Sequence, residues 1–173
     1  MTPLGHAAFS LCTQRVVRRG SAAGWVFGGV FVDVDFLLFF TPAFNSLHRV
    51  VTHNLLFVSV TAFAVALLRR RSPGAVGLAC SVFAGGLGHL LVDSMLDGNP
   101  SNGIGVALFW PWSDECWSPF NLVRVSPNPP SWNEPLAMAK AIVRSLWVEV
   151  PFYLWAAWLC WGRRGWKNSR IKP

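Results

Sequence analysis

Long apolar runs separated by short polar stretches dominate this chain. A helix that crosses about 30 Å of hydrocarbon needs about 20 mainly apolar residues, and the chain has runs near that length at residues 20–40, 52–68, 74–96 and 136–161. A shorter apolar run at residues 3–17 has the length of a half-span or a re-entrant helix. The pattern therefore predicts an all-α fold, a multi-pass transmembrane helical bundle of about four spans plus a short N-terminal helix.

The basic residues predict which ends of these spans face the cytoplasm. Eleven of the fifteen Lys and Arg residues lie in clusters beside the apolar runs: Arg15, Arg18, Arg19, Arg69, Arg70, Arg71, Arg163, Arg164, Lys167, Arg170 and Lys172. All of them face the cytoplasm if the spans alternate in direction, as the positive-inside rule requires. The chain is then a single membrane domain over residues 1–173. Residues 97–135 form an extracytoplasmic loop rich in Trp, Pro and Gly, and residues 162–173 form a basic cytoplasmic tail.

Composition supports a membrane location and argues against nucleic acid as a partner. The chain is 53% hydrophobic and 13% charged, which is too apolar for an ordinary soluble domain of this length. Its net charge of +7 is concentrated in short clusters at the ends of apolar runs, where it acts as a topology signal. We therefore expect the lipid bilayer as a partner and no nucleic acid.

Some residues in the predicted spans favour contacts between helices. Small side chains that permit close helix packing occur in the first and third spans, at Gly24, Gly28, Gly85, Gly86 and Gly88. In the fourth span, Arg144 and Glu149 are interpreted as a helix-to-helix salt bridge rather than as catalytic groups.

Ionisable side chains inside the spans are harder to explain, because a charged group in a bilayer costs a few kcal/mol or more. With a rise of about 1.5 Å per residue, seven of them reach the outer half of the membrane, about 20 Å or more above the cytoplasmic side, provided that the N-terminal helix descends into the membrane. They are His6, Asp33, Asp35, His48, His53, His89 and Asp93. A single histidine in an apolar segment is usually a hydrogen-bonded core residue rather than a ligand. Four histidines at one depth beside three aspartates favour the opposite interpretation, a ligand-binding site.

Two spacings indicate how the histidines are arranged. His89 and Asp93 are four residues apart, so one helical face presents both. His48 and His53 are five apart, which suits a single helix face poorly. We expect Thr52 to cap the second span, His53 to lie in its first turn and His48 to approach from the preceding loop.

The pair Asp33 and Asp35 leaves two alternatives open. Two residues apart, they point to nearly opposite faces of an ideal helix. Either the helix is broken there, or one of the two aspartates has a different role.

Imidazole and carboxylate groups in this number suit zinc, or else manganese or iron. Three or four ligands make one site, whereas seven are enough for two ions that share a carboxylate. The candidate metal ligands are His6, Asp33, His53, His89 and Asp93. The candidate catalytic residues are Asp35 and His48, as general base, and Arg49, as a clamp for phosphate or a developing oxyanion. An ion pair between Arg49 and one of the first-span aspartates is an equal alternative.

Five motifs in order carry a family resemblance: "GH" at 5–6, "VDVD" at 32–35, "HRVVTHN" at 48–54, "GHLLVDSML" at 88–96 and "GIGVALFWPWS" at 103–113. They resemble the YdjM-like membrane-bound metal-dependent hydrolases of bacteria and archaea. The resemblance implies a multi-pass inner-membrane hydrolase. The residues that stand at the family's polar motif positions are His6, Asp33, Asp35, His48, His53, His89 and Asp93. The chain departs from the family pattern Pro-Asp-x-Asp-His at Val32 and Phe36, and has Asn54 where the family has serine.

The leading hypothesis is a membrane-embedded metal-dependent hydrolase of a lipid-linked ester or phosphoester near the outer leaflet. One alternative is a non-enzymatic ion or proton pathway built from intramembrane Asp and His. Another is a structural membrane protein whose polar cluster holds helices together. No acid or histidine falls in the cytoplasmic halves of the first three predicted spans, which favours a one-sided site over a pathway.

Overall fold

The computed structural model of the chain describes residues 1–38, 41, 44–96, 105–119, 136, 140, 143 and 146–168, which are mainly helical. The helices are α1 (Pro3–Val17), α2 (Ala22–Phe31), a 3₁₀ helix (Val32–Leu38), α3 (Phe44–Leu47), α4 (Leu55–Leu68), α5 (Ala75–Leu96) and α6 (Val150–Asn168). Within these residues the β-structure is limited to one isolated antiparallel bridge, Val106 to Trp117. The predicted all-α class is confirmed.

One described helix, α5, is long and apolar enough to cross a membrane, with 21 residues from Ala75 to Met95 at a mean hydropathy of 1.8. The apolar helices Leu55–Leu68 and Val150–Trp161 are shorter. The predicted first span is divided between α2 and the 3₁₀ helix, and the predicted N-terminal helix coincides with α1. Of the predicted outer loop only residues 105–119 are described, and Arg144 and residues 169–173 of the predicted tail lie outside the described residues.

The start of α4 differs from the prediction. Asn54, and not Thr52, is the capping residue, since its Oδ1 accepts the N–H of Phe57 at 2.7 Å. The Asn54 amide also donates to the carbonyls of Val50 and Val51, both at 2.8 Å. These bonds secure the turn before α4, so the prediction that Thr52 caps the helix and His53 lies in its first turn is wrong. Thr52 and His53 precede the helix.

Glycines let α5 approach its neighbours at backbone distance, as the sequence predicted. A Cβ atom added to Gly28 of α2 would collide with the carbonyl oxygen of Val82, and one added to Gly85 would collide with that of Trp25. On the other side of α5, a Cβ on Gly86 would lie 2.7 Å from Val58 Cγ1 of α4. Helices α2, α4 and α5 therefore pack too closely to admit even a methyl group at these positions.

A buried carboxylate anchors the N-terminus of α1 to the start of α6. Glu149 is 1% exposed and accepts hydrogen bonds from the backbone N–H and the hydroxyl of Thr2, both at 2.6 Å, and from the Tyr153 hydroxyl. Thr2 in turn caps α1 by accepting the N–H of Gly5. This network fixes the first turn of α1, which carries His6.

Residues 105–119 cover the turn before α4. The N–H of Ala107 donates to the carbonyl of Arg49 at 3.2 Å, and the N–H of Leu55 donates to the carbonyl of Leu108 at 3.1 Å. Two aromatic side chains of this segment are exposed, Trp112 at 78% and Phe109 at 55%. Such rings are typical of segments at lipid headgroup level.

The close approach of α5 can be tested with two Gly→Ala substitutions in the same helix. Gly85→Ala forces the α2 and α5 backbones apart, and overpacking of this kind costs about 1–3 kcal/mol. Gly77→Ala is the matched control, because its new Cβ meets open space and Ala is favoured over Gly within a helix by about 0.5–1 kcal/mol. We expect the melting temperature in detergent to fall for Gly85→Ala and to stay level or rise for Gly77→Ala. Equal melting temperatures would contradict the described packing.

Candidate metal centre

Five side chains from separate parts of the chain meet in one buried cluster. They are contributed by α1, the 3₁₀ helix, the turn before α4 and, twice, by α5: His6, Asp33, His53, His89 and Asp93. None of them is more than 5% exposed. All five candidate metal ligands from the sequence are therefore brought together.

A break in the first predicted span directs its two aspartates to different neighbours. Helix α2 ends at Phe31, and Asp33 has φ −80° and ψ 17°, outside the α-helical range. The change of direction lets Asp33 face His53 and His89, while Asp35 faces His48. The first alternative raised by the sequence is confirmed, since the helix is broken, and the two aspartates lie in adjacent but different clusters. The break forms although Val32 replaces the family proline.

Five of the six separations among four ligand atoms in the main cluster lie between 3.1 and 3.7 Å. His53 Nε2 and His89 Nε2 are 3.1 Å apart. Asp33 Oδ1 lies 3.4 Å from the first and 3.7 Å from the second, and Asp93 Oδ2 lies 3.5 Å from each. Ligands held tetrahedrally at about 2.0–2.2 Å from zinc are about 3.3–3.6 Å apart. These five separations fit those expected around one tetrahedral ion.

The buried polar atoms of this cluster are short of partners. Within the described part of the chain, neither oxygen of Asp33 and neither ring nitrogen of His6 has a hydrogen-bond partner. His6 Nε2 is nevertheless 3.0 Å from Asp93 Oδ1, and its ring stacks on that of His89 with centroids 3.6 Å apart. A buried carboxylate without a donor is costly, so the cluster needs positive charge. A divalent cation among these residues meets that need.

His89 is oriented by a backbone carbonyl. Its Nδ1 lies 2.7 Å from the carbonyl oxygen of Gly29, which can only accept a hydrogen bond, so Nδ1 carries the proton. In the neutral ring Nε2 then has a lone pair, directed at Asp33, Asp93 and His53. A second ring N–H held by a carbonyl is the usual support of a metal-binding histidine.

A second cluster adjoins the first. His48 Nδ1 and the Thr52 hydroxyl each lie 2.9 Å from Asp35 Oδ2, and the Thr52 hydroxyl is also 2.9 Å from His53 Nδ1. Asp35, His48 and His53 could by their positions also hold an ion. The ring of His53 therefore belongs to both clusters, with Nε2 in the first and Nδ1 toward the second.

Arg49 lies at the border of the main cluster. It is 6% exposed, and its Nη2 is 3.4 Å from Asp93 Oδ2. The sequence offered Asp33 or Asp35 as ion-pair partners, and the structure shows an ion pair with Asp93. Arg49 also has a left-handed backbone with φ 70°, a conformation that costs a non-glycine residue about 1–2 kcal/mol. The bond from Ala107 N–H to its carbonyl helps to hold it.

Asp93 has a second cationic neighbour. The amino group of Met1 lies 2.8 Å from Asp93 Oδ1, on the side of the carboxylate that also faces His6. Oxygen Oδ2 of the same carboxylate faces His53, His89 and Arg49. The two oxygens of Asp93 thus serve different neighbours.

Sequence reasoning missed two groups in this region. The sequence pattern predicted Thr52 as a helix cap, although its position between His48 and His53 also indicates a role in the site. Gly29 contributes only a backbone carbonyl, and no side-chain pattern points to such a group.

Comparisons with known proteins agree with the resemblance noted from the motifs. The model of the family described as YdjM inner membrane protein matches residues 1–169. The Escherichia coli (strain K12) protein named Inner membrane protein YbcI is 31% identical, over 94% of this chain and 99% of that protein. No solved structure matches the chain. With a match over nearly its whole length, the chain belongs to the YdjM inner membrane protein family.

Proposed function

We propose that this protein is a membrane-embedded metal-dependent hydrolase that acts on a lipid-linked ester or phosphoester near the outer leaflet. The observation that carries the proposal is the buried donor set of His53 Nε2, His89 Nε2, Asp33 Oδ1 and Asp93 Oδ2, five of whose six separations are 3.1–3.7 Å. Two imidazoles and two carboxylates in that arrangement suit zinc best among the common divalent ions.

The residues divide into those that hold the ion and those that act on the substrate. His53, His89, Asp33 and Asp93 hold the ion, and His6 extends the set toward a second ion through its 3.0 Å approach to Asp93 Oδ1. When bound, the ion lowers the pKa of a water molecule and polarises the ester or phosphoester oxygen.

His48, Asp35 and Arg49 supply the remaining chemistry. His48 donates its Nδ1–H to Asp35, which leaves Nε2 of the neutral ring to take up a proton from the attacking water. The Arg49 guanidinium, beside Asp93, stabilises the negative charge that develops on the substrate oxygen.

An open groove beside the cluster supports a substrate with an apolar tail. It has a volume of about 330 Å³ and is lined by Val30, Phe31, Asp33, Val34, Phe36 and Leu37. Asp33 is the one polar residue in this lining and belongs to the proposed metal centre. An apolar groove lined in part by a residue of the proposed metal centre suits a molecule whose scissile headgroup is joined to a hydrocarbon chain.

We also propose that the chain is a multi-pass protein of the inner membrane, with about four spans that contain α2 with the 3₁₀ helix, α4, α5 and α6. Helix α5 meets the length and composition of a span, and α4 and α6 are apolar. The clusters Arg15–Arg19 and Arg69–Arg71 then face the cytoplasm, and residues 105–119 face outward with the site beneath them.

The metal centre predicts a metal content that depends on named ligands. Protein purified in detergent should hold stoichiometric zinc or another divalent ion, and Asp93→Asn and His89→Gln should lose most of it because each removes one ligand. Asp114→Asn, at an exposed acid, is the control and should retain the wild-type content. Inductively coupled plasma mass spectrometry measures all four proteins. Wild-type protein without metal, or equal metal in Asp93→Asn, would contradict the proposal.

The topology predicts which cysteine an impermeant reagent reaches. In a variant that keeps only Cys116, by Cys→Ser substitution at Cys12, Cys80 and Cys160, a charged maleimide should label Cys116 in intact spheroplasts. Arg70→Cys, in a background with Cys116→Ser as well, should be labelled only after the membrane is permeabilised. Labelling of Cys116 only after permeabilisation would reverse the proposed orientation.

The groove predicts a preference for long tails. Leu37→Gln places an amide in the groove and should raise KM for a synthetic phosphodiester with a hexadecyl tail by about tenfold, the equivalent of about 1.4 kcal/mol. KM for the same diester with an ethyl group should not change. Leu67→Gln, at an exposed leucine of α4 outside the groove, is the control. An equal effect on both substrates, or none on either, would exclude this groove as the tail site.

A further inference from the structure

The hydroxyl of Thr52 lies between two groups of the site. It donates a hydrogen bond to Asp35 Oδ2 at 2.9 Å, and its oxygen is 2.9 Å from His53 Nδ1. Thr52 is 6% exposed and His53 is fully buried, so bulk water does not compete for these contacts. The 2.9 Å distance between Thr52 Oγ1 and His53 Nδ1 does not by itself show which of the two atoms donates the proton.

Counting protons assigns the direction of the second bond. A threonine hydroxyl has one proton and accepts with its lone pairs, and the proton of Thr52 is used on Asp35, whose carboxylate only accepts. The contact between Thr52 and His53 is therefore a bond in which Nδ1–H donates to the hydroxyl oxygen. The opposite direction would leave Asp35 Oδ2 and Thr52 Oγ1 at 2.9 Å with no proton between them.

This assignment determines what the other ring nitrogen of His53 offers. With the proton on Nδ1, Nε2 of the neutral ring has a lone pair, directed at Asp33 Oδ1, Asp93 Oδ2 and His89 Nε2. The carbonyl of Gly29 has the same effect on His89. Two lone pairs 3.1 Å apart repel each other unless a cation, a proton or a metal ion, lies between them.

We propose that Thr52, held by Asp35, is a positioning residue that fixes His53 in the Nδ1–H tautomer and so prepares Nε2 to bind the metal ion. The inference rests on the proposed metal centre and adds to it a residue outside both the ligand set and the catalytic set. It also gives Asp35 a role in the metal centre: through Thr52 its carboxylate acts on the ligand His53.

Removing the hydroxyl without changing the shape of the side chain should reverse the tautomer. In Thr52→Val, His53 Nδ1 has lost its acceptor at 2.9 Å, and the next carboxylate, Asp35 Oδ2, is 3.8 Å away. The ring then gains most by placing the proton on Nε2, which is 3.4 Å from Asp33 and 3.5 Å from Asp93. A metal ion must then displace that proton. Loss of such a supporting group typically lowers metal affinity by about 10–100-fold.

The test compares four proteins: wild type, Thr52→Val, Thr52→Ser and Thr13→Val. Thr52→Ser keeps the hydroxyl and should behave as wild type. Thr13→Val is the matched control, since it makes the same change at a hydroxyl that donates only to the carbonyl of Phe9 in its own helix. Three quantities are measured: zinc affinity by chelator competition, the His53 tautomer by ¹⁵N–¹H coupling in metal-free protein at a pH where the ring is neutral, and the melting temperature of the metal-free protein.

We expect Thr52→Val alone to bind zinc about 10–100-fold more weakly and to move the His53 proton from Nδ1 to Nε2. A purely structural role for Thr52 would lower the melting temperature without moving the proton, and this result would overturn the inference. So would unchanged zinc affinity in Thr52→Val. If Thr52→Val does not fold, the wild-type tautomer decides, because a proton on His53 Nε2 contradicts the inference. Failure of the proposed function would give a different result. The wild-type protein would bind no zinc, while His53 would still carry its proton on Nδ1.

Discussion

The need to neutralise buried negative charge is the constraint on which this structure depends. Asp33 and Asp93 are placed with three imidazoles where none of the five is more than 5% exposed. Burying carboxylates away from water is expensive unless cations or hydrogen-bond donors compensate. Arg49 and the amino group of Met1 lie near Asp93. The oxygens of Asp33 have no hydrogen-bond partner among the described residues, and Oδ1 is 3.4 Å from His53 Nε2. A cation held between the imidazole nitrogens and carboxylate oxygens resolves this imbalance, which is why we propose a metal centre.

The rest of the fold can be understood as the means of holding these groups in place. Glycines at the α2–α5 contact bring the two backbones close enough for the Gly29 carbonyl to reach the ring of His89. Asn54 secures the turn that leaves Thr52 and His53 outside α4. Glu149 fixes Thr2, the capping residue of α1, which lies four residues before His6. Each of these groups restricts a ligand through backbone geometry, and preorganisation of that kind is what a site with exact ligand spacing requires.

Much of this site could be predicted from the sequence, and the remainder depended on contacts that sequence patterns do not encode. The shared depth of the histidines and aspartates, and the spacing of His89 and Asp93, followed from helix geometry. The cap at Asn54 was missed because Thr52 is also a favoured capping residue and lies two positions earlier. The partner of Arg49 and the acceptor of the His89 ring N–H depend on how separate helices pack, so no local pattern reveals them. The length of the spans was also only partly apparent, since the 3₁₀ segment interrupts an apolar run that reads as continuous.

X-ray absorption at the zinc edge of the zinc-loaded protein tests the central proposal most directly, because it reports the ligand atoms themselves. The account predicts nitrogen and oxygen ligands at about 2.0–2.2 Å, multiple scattering from imidazole rings, and loss of most of the zinc signal in His89→Gln. Sulfur ligands at about 2.3 Å, or a spectrum without imidazole scattering that His89→Gln leaves unchanged, would contradict it.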